Sequence, residues 1–406
     1  MVANNDHRRP IGTTRRRDRS QQLIAIAADL FCQHGYHRVG VDDIAAVAGI
    51  SGPAIYRHFA SKQQLLASVL LSALDVLADT TAGIVADEST PPAERLATLA
   101  ATMGRLSVQR RDITALWRWQ SGHLDRAGRD RVREHGTALI ARWVNLLRLA
   151  RGELTAADAD VLCLAALSVF GSIADYRPTL PKGRLAGLLA ELSTVVFATS
   201  IPPRPKNAPK PHLIVHTEIA ENKRDEILAA AIPLIRRRGY HAASIEEIGQ
   251  AVGLAAPSVY RHFSSKEEIL MTAGRKLANQ LTEHADQAAA KFDSPKEILN
   301  SLLRYYVDNF SANTDLLAIY ISEVVNLTGR HRDELVSLQR SHVAQWISAL
   351  RAASPRLDEA TARTVVHAAL TVVNDLCRIR HVVGGAGFPD NVAHICWAIL
   401  SSSMPD

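Results

Sequence analysis

Cysteine is scarce in this sequence of 406 residues, and its four cysteines stand singly along the chain. Cys32, Cys163, Cys377 and Cys396 show no paired spacing, which argues against a disulfide framework and against the cysteine patterns of zinc sites. We therefore expect a protein of the reducing cytoplasm that holds no metal ion.

Motifs of common catalytic and nucleotide-binding sites are also missing. The chain has no Gly-x-Gly-x-x-Gly, no glycine-rich phosphate loop ending in Lys-Ser/Thr, no Gly-x-Ser-x-Gly and no His-Glu-x-x-His. We expect a protein that is not an enzyme and has no cofactor. An all-α enzyme with another kind of site is the least favoured alternative.

Long apolar runs and strand-like alternation are scarce as well. No stretch approaches the roughly 20 apolar residues that span a bilayer, and the arginines before Leu23 lack a signal-peptide cleavage site. Apolar residues instead recur at helical spacing, as at Leu139, Trp143 and Leu147. These patterns predict an all-α protein with no membrane partner.

The chain contains one unit twice. Residues 20–66 align without a gap with residues 224–270, and 16 of these 47 positions are identical. The sequence Tyr-Arg-His-Phe begins at Tyr56 and returns at Tyr260. A period of 204 residues is too long for a solenoid repeat and indicates a duplicated domain.

Proline and glycine residues divide both copies into helices. In the first copy, helices are expected at 19–35, 41–48, 53–59, 62–86, 92–109, 112–125, 128–151, 156–177 and 183–200. In the second copy, they are expected at 221–238, 245–252, 257–263, 265–291, 295–312, 314–327, 330–352, 358–383 and 390–403. Five prolines between Pro202 and Pro211 predict an extended linker between the copies.

Each copy has two short helices joined by a tight glycine turn after its first long helix. Gly49 and Gly253 lie in these turns, and Pro53 and Pro257 suit the first turn of the second short helix. This is the order of a helix-turn-helix motif, whose second short helix enters the DNA major groove. The residues spaced to pack the first motif against the preceding helix are Ile44, Val47, Ile50 and Ile55.

A capping box follows each motif and starts a new helix, from Ser61 to Gln64 and from Ser265 to Glu268. The free N–H groups and the lysine at each helix start predict a phosphate clamp. The tyrosine and histidine are expected to donate to phosphates, and the arginine to reach a phosphate or a guanine edge. These expected DNA contacts are Tyr56, Arg57, His58, Lys62, Tyr260, Arg261, His262 and Lys266.

The two recognition helices begin with different residues. The expected DNA-reading positions are Ser51, Gly52 and Ala54 in the first copy, and Ala255, Ala256 and Ser258 in the second. The helix before each differs too, since Ser244 is a good N-cap and Gly40 a weak one. Different hydrogen-bonding groups predict a non-palindromic DNA site.

Arginines cluster at the amino end, at Arg8, Arg9, Arg15, Arg16, Arg17 and Arg19. Pro10 and Gly12 interrupt them, so an unfolded basic arm is expected at residues 1–18. Arg15, Arg16 and Arg17 either contact DNA in a minor groove or belong to a tail that only keeps the protein soluble.

The long helix, Gly-Tyr, an acidic pair before Ile-Ala, Ala-Gly-Ile-Ser, Tyr-Arg-His-Phe, Ser-Lys and Leu-Leu together resemble the DNA-binding region of the TetR family of bacterial regulators, here in tandem. The resemblance covers some 47 residues per copy. It implies nine helices per copy: three that read DNA, a body with a small-molecule pocket, and two last helices that dimerise. One chain then pairs as its own pseudo-dimer, with 156–177 and 183–200 packed against 358–383 and 390–403. We expect a monomer in solution, with further pairing of chains through the outer surface as the alternative.

These patterns divide the chain into an arm (1–18), a first DNA-binding domain (19–66), a first body (67–201), a linker (202–220), a second DNA-binding domain (221–270) and a second body (271–406). The expected partners are double-stranded operator DNA and a small hydrophobic or lipid-like effector. Aromatic residues that line the pocket, or that belong to the plain core, are Trp117, Trp119, His123, Phe170, Tyr176, Tyr306, Phe310, Tyr320 and Trp346.

The predicted function is a ligand-responsive repressor with an asymmetric operator, controlling genes of lipid transport or lipid metabolism. The alternative of another class is a helical scaffold that binds protein rather than DNA.

Overall fold

The computed structural model describes residues 11–113, 124–202, 222–240, 242–313, 315, 327, 329–383 and 387–404. All regular structure in these residues is helical. The arm before residue 11, the linker from 203 to 220, and most of the helices expected at 112–125 and 314–327 lie outside the described residues.

The described helices follow the predicted order, which confirms the all-α fold. Those of the first copy are α1 (Ile11–His34), α2 (Val41–Ala48), α3 (Gly52–Ile55), α4 (Lys62–Ala86), α5 (Pro92–Gln109), α6 (Arg126–Ala150), α7 (Ala156–Gly171) and α8 (Lys182–Ala198). Those of the second copy are α9 (Lys223–Arg238), α10 (Ile245–Ala251), α11 (Ala256–Tyr260), α12 (Lys266–Lys291), α13 (Pro295–Ala312), α14 (Gly329–Ala353), α15 (Glu359–Leu376), α16 (Arg380–Val383) and α17 (Phe388–Ser401).

The amino end departs from the expected unfolded arm. Helix α1 begins at Ile11, so Arg15, Arg16 and Arg17 lie within it. Pro10 immediately precedes the helix, where a missing N–H is tolerated, and arginine is a good helix former. The expectation of an unfolded arm is therefore wrong for residues 11–18, while a contact of these arginines with DNA stays a prediction.

The chain divides into two compact units. The first unit lies within residues 1–91 and 109–145, and it contains α1 to α4 and most of α6. Helix α1 packs on α2 and α4. Leu23, Ala27 and Phe31 on α1 are fully buried or nearly so, as are Ile44 and Ile55 on the two short helices.

The second unit contains residues 92–108 and 146–406, and therefore the whole described second copy. Its own helix-turn-helix region has a core in which Ile227, Ile235, Ile248, Val259 and Phe263 are almost completely buried. Helices α12, α13 and α14 pack on one another beyond it.

A four-helix bundle in the second unit joins the last two long helices of both copies. Helix α7 packs on α8 and α15, and α17 packs on α15 and α8. Two hydrogen bonds link α15 to the chain just after α7: Tyr176 Oη donates to Thr364 Oγ1 over 2.8 Å, and Thr371 Oγ1 donates to Asp175 Oδ2 over 3.0 Å. The predicted pairing of the copies through their last helices is confirmed.

The repeat extends into the bodies with a changed offset. Helices α4 and α12 start 204 residues apart, whereas α5 and α13, and α6 and α14, start 203 residues apart and have equal lengths of 18 and 25 residues. Helix α12 is one residue longer than α4, but the connection after it has 3 residues (292–294) against 5 (87–91), so the offset falls by one. Positions in the two bodies can therefore be compared at an offset of 203.

Two helices are apolar enough, by length and composition, to pass a test for membrane spans: Lys62–Ala86 and Ala156–Ala174. No span was expected from the sequence. Helix α7 lies in the four-helix bundle with 61% of its apolar stretch buried, whereas α4 packs on α1 with 28% of its apolar stretch buried.

Candidate DNA-binding interface

We call α1 to α3 and the start of α4 the first head, and α9 to α11 and the start of α12 the second head. In each, a glycine with a left-handed backbone makes the turn between the short helices, with φ of +68° at Gly49 and +69° at Gly253. That conformation strains residues with a side chain. The turn therefore fixes how each recognition helix, α3 or α11, leaves its partner helix.

The Tyr-Arg-His-Phe sequences lie at the ends of these recognition helices. Helix α3 ends at Ile55, and a turn follows in which the His58 N–H donates to the Ile55 carbonyl over 2.8 Å. This helix is shorter than the expected 53–59. Phe59 and Phe263 are buried, so the last residue of each sequence packs in the core of its head.

The tyrosines point outward in both heads. Tyr56 is 54% exposed and Tyr260 is 52% exposed, although large aromatic side chains usually lose more of their surface. Arg57 and Arg261 beside them are exposed as well. Each head therefore presents a phenol and a guanidinium at the end of its recognition helix, and both groups donate hydrogen bonds.

The lysines of the expected phosphate clamp have an internal partner. Lys62 Nζ donates to the Tyr36 carbonyl and lies 4.1 Å from the centre of that tyrosine ring. Lys266 Nζ donates to the Tyr240 and Ala243 carbonyls, the latter over 2.7 Å. Desolvation by burial lowers the pKa of Lys62. These lysines hold the start of α4 or α12 against the turn that follows the first helix of each head.

Serine caps begin both of these helices. Ser61 Oγ accepts from the Gln64 N–H, and Ser265 Oγ accepts from the Glu268 N–H, each over 3.1 Å. In a capping box, the Gln64 side chain would accept from the N–H of the cap residue Ser61. Here Gln64 Oε1 accepts instead from the N–H of Ala60, one residue earlier. Residue Ser264 plays the part of Ala60 in the second head, donating its N–H to Glu268.

The histidines differ between the heads. His58 Nδ1 lies 2.9 Å from Ser20 Oγ. The residue equivalent to Ser20 is Arg224, whose guanidinium stacks 4.1 Å from the centre of the Phe263 ring and donates to the His262 carbonyl. The histidine is thus held by its ring in one head and by its backbone in the other. Sequence reasoning missed this pair because position 20 lies outside the identical residues.

The starts of the recognition helices also differ. Ser51 is the N-cap of α3, but its side chain makes no capping hydrogen bond, and Ala255 takes this place in α11. A Cβ atom on Gly52 would collide with Asp42 Oδ1, so this glycine leaves room for a carboxylate beside the recognition helix. The equivalent residue in the second head, Ala256, carries a Cβ.

The helix before each recognition helix begins as predicted. Gly40 has no side-chain cap, although its N–H donates to Asp43 Oδ2 over 2.7 Å. Ser244 and Glu247 form a full capping box.

Val47 is 62% exposed, which contradicts its expected core position. It lies roughly 80° around α2 from the centre of the face formed by Ile44 and Ala48.

The aromatic residues expected near a ligand fall into three groups. Trp117, Trp119, His123 and Tyr320 lie outside the described residues. Phe170 is buried on α7, and Tyr176 bonds across the four-helix bundle. Tyr306, Phe310 and Trp346 are buried together in the second body, where Tyr306 touches both other rings. Among the described residues, no group of three or more His, Cys, Asp or Glu side chains is placed to hold a metal ion.

Comparison with known proteins gives matches at both heads. The family model of the bacterial regulatory proteins of the tetR family matches residues 23–69 and 227–272. The HTH-type transcriptional activator FasR of Mycolicibacterium smegmatis is 43% identical over 76 residues, which are 17% of this chain and 35% of FasR. The HTH-type transcriptional repressor KstR2 of the same organism is 38% identical over 131 residues, 32% of this chain and 64% of KstR2.

The match to a solved structure covers less than half of the chain. The ketosteroid transcriptional regulator KstR2 of Mycobacterium tuberculosis aligns with 43% of this chain and 93% of its own, at 22% identity and a TM-score of 0.37. The chain spans from about a third to under two thirds of the length of FasR and KstR2. Because one family model matches twice, in register with the two heads, the two heads belong to the tetR family of bacterial regulatory proteins and lie in tandem on one chain.

Proposed function

We propose that the chain is a transcriptional regulator that binds operator DNA with both heads. The observation that carries the proposal is the exposure of Tyr56 and Tyr260 at the same position of two heads in which Phe59 and Phe263, three residues on, are buried. An exposed phenol at the end of a recognition helix, beside an exposed arginine, suits contact with the phosphates that flank a major groove.

The lysines fit this role less directly than the tyrosines. Each ammonium group has three donor hydrogens, and Lys62 uses one on the Tyr36 carbonyl. We propose that Lys62 and Lys266 both position the helix start, and that Lys62 adds a phosphate contact with a remaining hydrogen. His58 and His262 are held differently, so we expect them to contribute unequally.

We further propose that the operator is not palindromic. Ser51 offers a hydroxyl and Gly52 stands beside the Asp42 carboxylate, whereas Ala255 and Ala256 offer methyl groups at these positions. Hydroxyl and carboxylate groups bond to base edges, and methyl groups favour the apolar contact of a thymine methyl. The two heads therefore prefer different half-sites.

Binding to DNA from the chain's own upstream region tests both proposals. We expect tight, salt-dependent binding by fluorescence anisotropy, and a half-site order that footprinting resolves. Two perfect palindromes, each built from one of the half-sites, serve as matched DNA controls. Affinity equal to that of the natural site for both palindromes would contradict the asymmetric operator, and absence of specific binding at low salt would favour a protein-binding scaffold.

An effector is proposed to control this binding. Both heads bind one operator together only when their recognition helices enter grooves about 34 Å apart. An effector that changes the spacing of the recognition helices therefore releases the operator. The proposal of repression agrees with KstR2, a repressor, and not with FasR, an activator. A similar protein of Bacillus subtilis is named a fatty acid metabolism regulator, which favours genes of lipid transport or metabolism. We propose cytoplasmic action by a single chain.

A further inference from the structure

A buried group of polar atoms in the second body has no hydrogen-bond partner among the described residues. His342 is 8% exposed, and neither of its ring nitrogens is bonded. The indole Nε1 of Trp346 and Oε1 of Gln345 are likewise buried without a partner. All three residues lie on α14, within one turn of each other.

Aromatic rings from a neighbouring helix enclose this group. The ring of Tyr306 on α13 lies parallel to that of His342 at 5.6 Å between centres, and edge-on to Trp346 at 5.7 Å. Phe310 packs edge-on against Tyr306 at 4.3 Å. The Tyr306 hydroxyl donates a hydrogen bond to Asn374 Oδ1 on α15 over 2.9 Å. Side chains of α13 thus lie against His342 and Trp346 of α14, and Asn374 of α15 joins this cluster through Tyr306.

A buried polar atom without a partner costs about 1–3 kcal/mol, and such atoms in folded proteins call for an explanation. Burial lowers the pKa of His342 to about 4, so its ring is neutral at pH 7. A neutral imidazole has one donor and one acceptor nitrogen, the indole N–H only donates, and the Gln345 oxygen only accepts. A group that both donates and accepts, such as a hydroxyl, complements this set.

The polar side chains of this group are mostly replaced in the first copy. At the offset of 203, Tyr306, Phe310, His342 and Asn374 correspond to Met103, Ser107, Leu139 and Gly171. Only the tryptophan is retained, as Trp143, and its Nε1 is also buried without a partner among the described residues. A leucine in place of the histidine removes both ring nitrogens. The donor and acceptor set therefore belongs to the second copy.

We propose that the second body alone is the effector site, and that it binds a neutral, largely apolar molecule whose hydroxyl group bonds to His342, Trp346 and Gln345. The apolar remainder of the molecule contacts the rings of Tyr306 and Phe310. A carboxylate is disfavoured because the site is buried, and burial is what lowers the pKa of His342, with no neighbouring cation among the described residues acting on it. Control of DNA binding from this site rests on the proposed function, whereas the binding itself does not.

Calorimetric titration of the full chain with three probes of equal size tests the site. The probes are n-octanol, which donates and accepts, methyl hexyl ketone, which only accepts, and octanoate, which is an anion. We expect n-octanol to bind about tenfold more tightly than the ketone, the effect of about one hydrogen bond, and octanoate to bind more weakly than both. Histidine ring signals in nuclear magnetic resonance locate the site, since the His342 signal should shift with n-octanol.

His342→Leu is the matched variant, because leucine stands at this position in the first copy, and Trp346→Phe removes only the indole donor with little loss of packing. We expect His342→Leu to weaken n-octanol binding about tenfold or more and Trp346→Phe to weaken it several-fold. Equal binding by the wild type and His342→Leu, or an unshifted His342 signal, overturns the proposal and points to a buried water molecule.

Measurements with DNA separate this inference from the proposed function. If the chain binds its upstream DNA but n-octanol fails to bind at His342, the effector site is wrong and the regulator proposal stands. If n-octanol binds at His342 but no DNA is bound specifically, the regulator proposal fails and the site stands.

Discussion

Replacement of Tyr56 by phenylalanine tests the central feature of the DNA-binding proposal. The change removes one hydroxyl and leaves the ring, which is 54% exposed. In the described residues this hydroxyl has no hydrogen-bond partner whose loss would destabilise the fold. We therefore expect the free energy of unfolding to change by less than about 0.5 kcal/mol, as at an ordinary surface position.

The effect on DNA binding is expected to be much larger. A hydrogen bond to a charged group contributes about 1.5–3 kcal/mol, and the lower end applies because water competes at an exposed site. This value corresponds to about a tenfold rise in Kd for Tyr56→Phe. Tyr260→Phe should have a similar effect, and the double variant should lose about a hundredfold because residues of separate heads act independently.

Fluorescence anisotropy at several salt concentrations measures these losses. Because tyrosine is uncharged, the slope of log K against log salt should stay unchanged, whereas Arg57→Gln should reduce it by about 0.9 if that arginine contacts a phosphate. Tyr305→Phe in the second body is the matched control. An unchanged Kd in the double variant, with intact folding, would refute a phosphate contact by these tyrosines.

Two further substitutions test the bundle and the second head. Tyr176→Phe loses the bond to Thr364 but keeps the ring, and we expect urea unfolding to show a loss of about 1 kcal/mol; no loss would mean that the bond contributes nothing. Hydrogen bonds from the Ser264 hydroxyl and N–H lower the pKa of Glu268. Its stabilising effect is therefore present above its usual pKa of 4.5 and is lost as the pH falls through the lower folded value. Glu268→Gln should make unfolding less sensitive to acid, and an unchanged pH profile would contradict this role.

Helix order was predictable because proline and glycine mark most boundaries. Pro92 and Pro295 are the first residues of α5 and α13, and Gly329 begins α14. The extension of α1 to Ile11 was not predictable, since a cluster of arginines reads equally well as a charged tail or as a good helix-forming segment. Burial was harder to predict than helicity: Val47 is apolar and close to the buried face of α2, yet it is exposed.

The sequence repeat located the candidate site but did not distinguish the roles of its residues. Tyr56 and Lys62 are both retained in the second copy, yet one is exposed and the other donates to a backbone carbonyl. A single sequence does not distinguish a lysine that binds a phosphate from a lysine that donates to the backbone of a turn, because both roles require the same residue type. His342 was missed for a related reason: a lone histidine in a helix has no motif, and only the comparison with Leu139 marks it.

Contacts in the four-helix bundle explain why two different heads belong on one chain. Tyr176 bonds to Thr364 and stacks on His367 at 4.1 Å, but the equivalents of these two partners in the first copy are Val161 and Leu164. Two first copies would place the tyrosine against side chains that accept no hydrogen bond. Pairing of a first copy with a second copy is therefore favoured over pairing of like copies, by the same logic that specifies partners at other interfaces. A bundle that prefers unlike halves places one head of each kind in every pair, which is the arrangement that the proposed operator with two different half-sites requires.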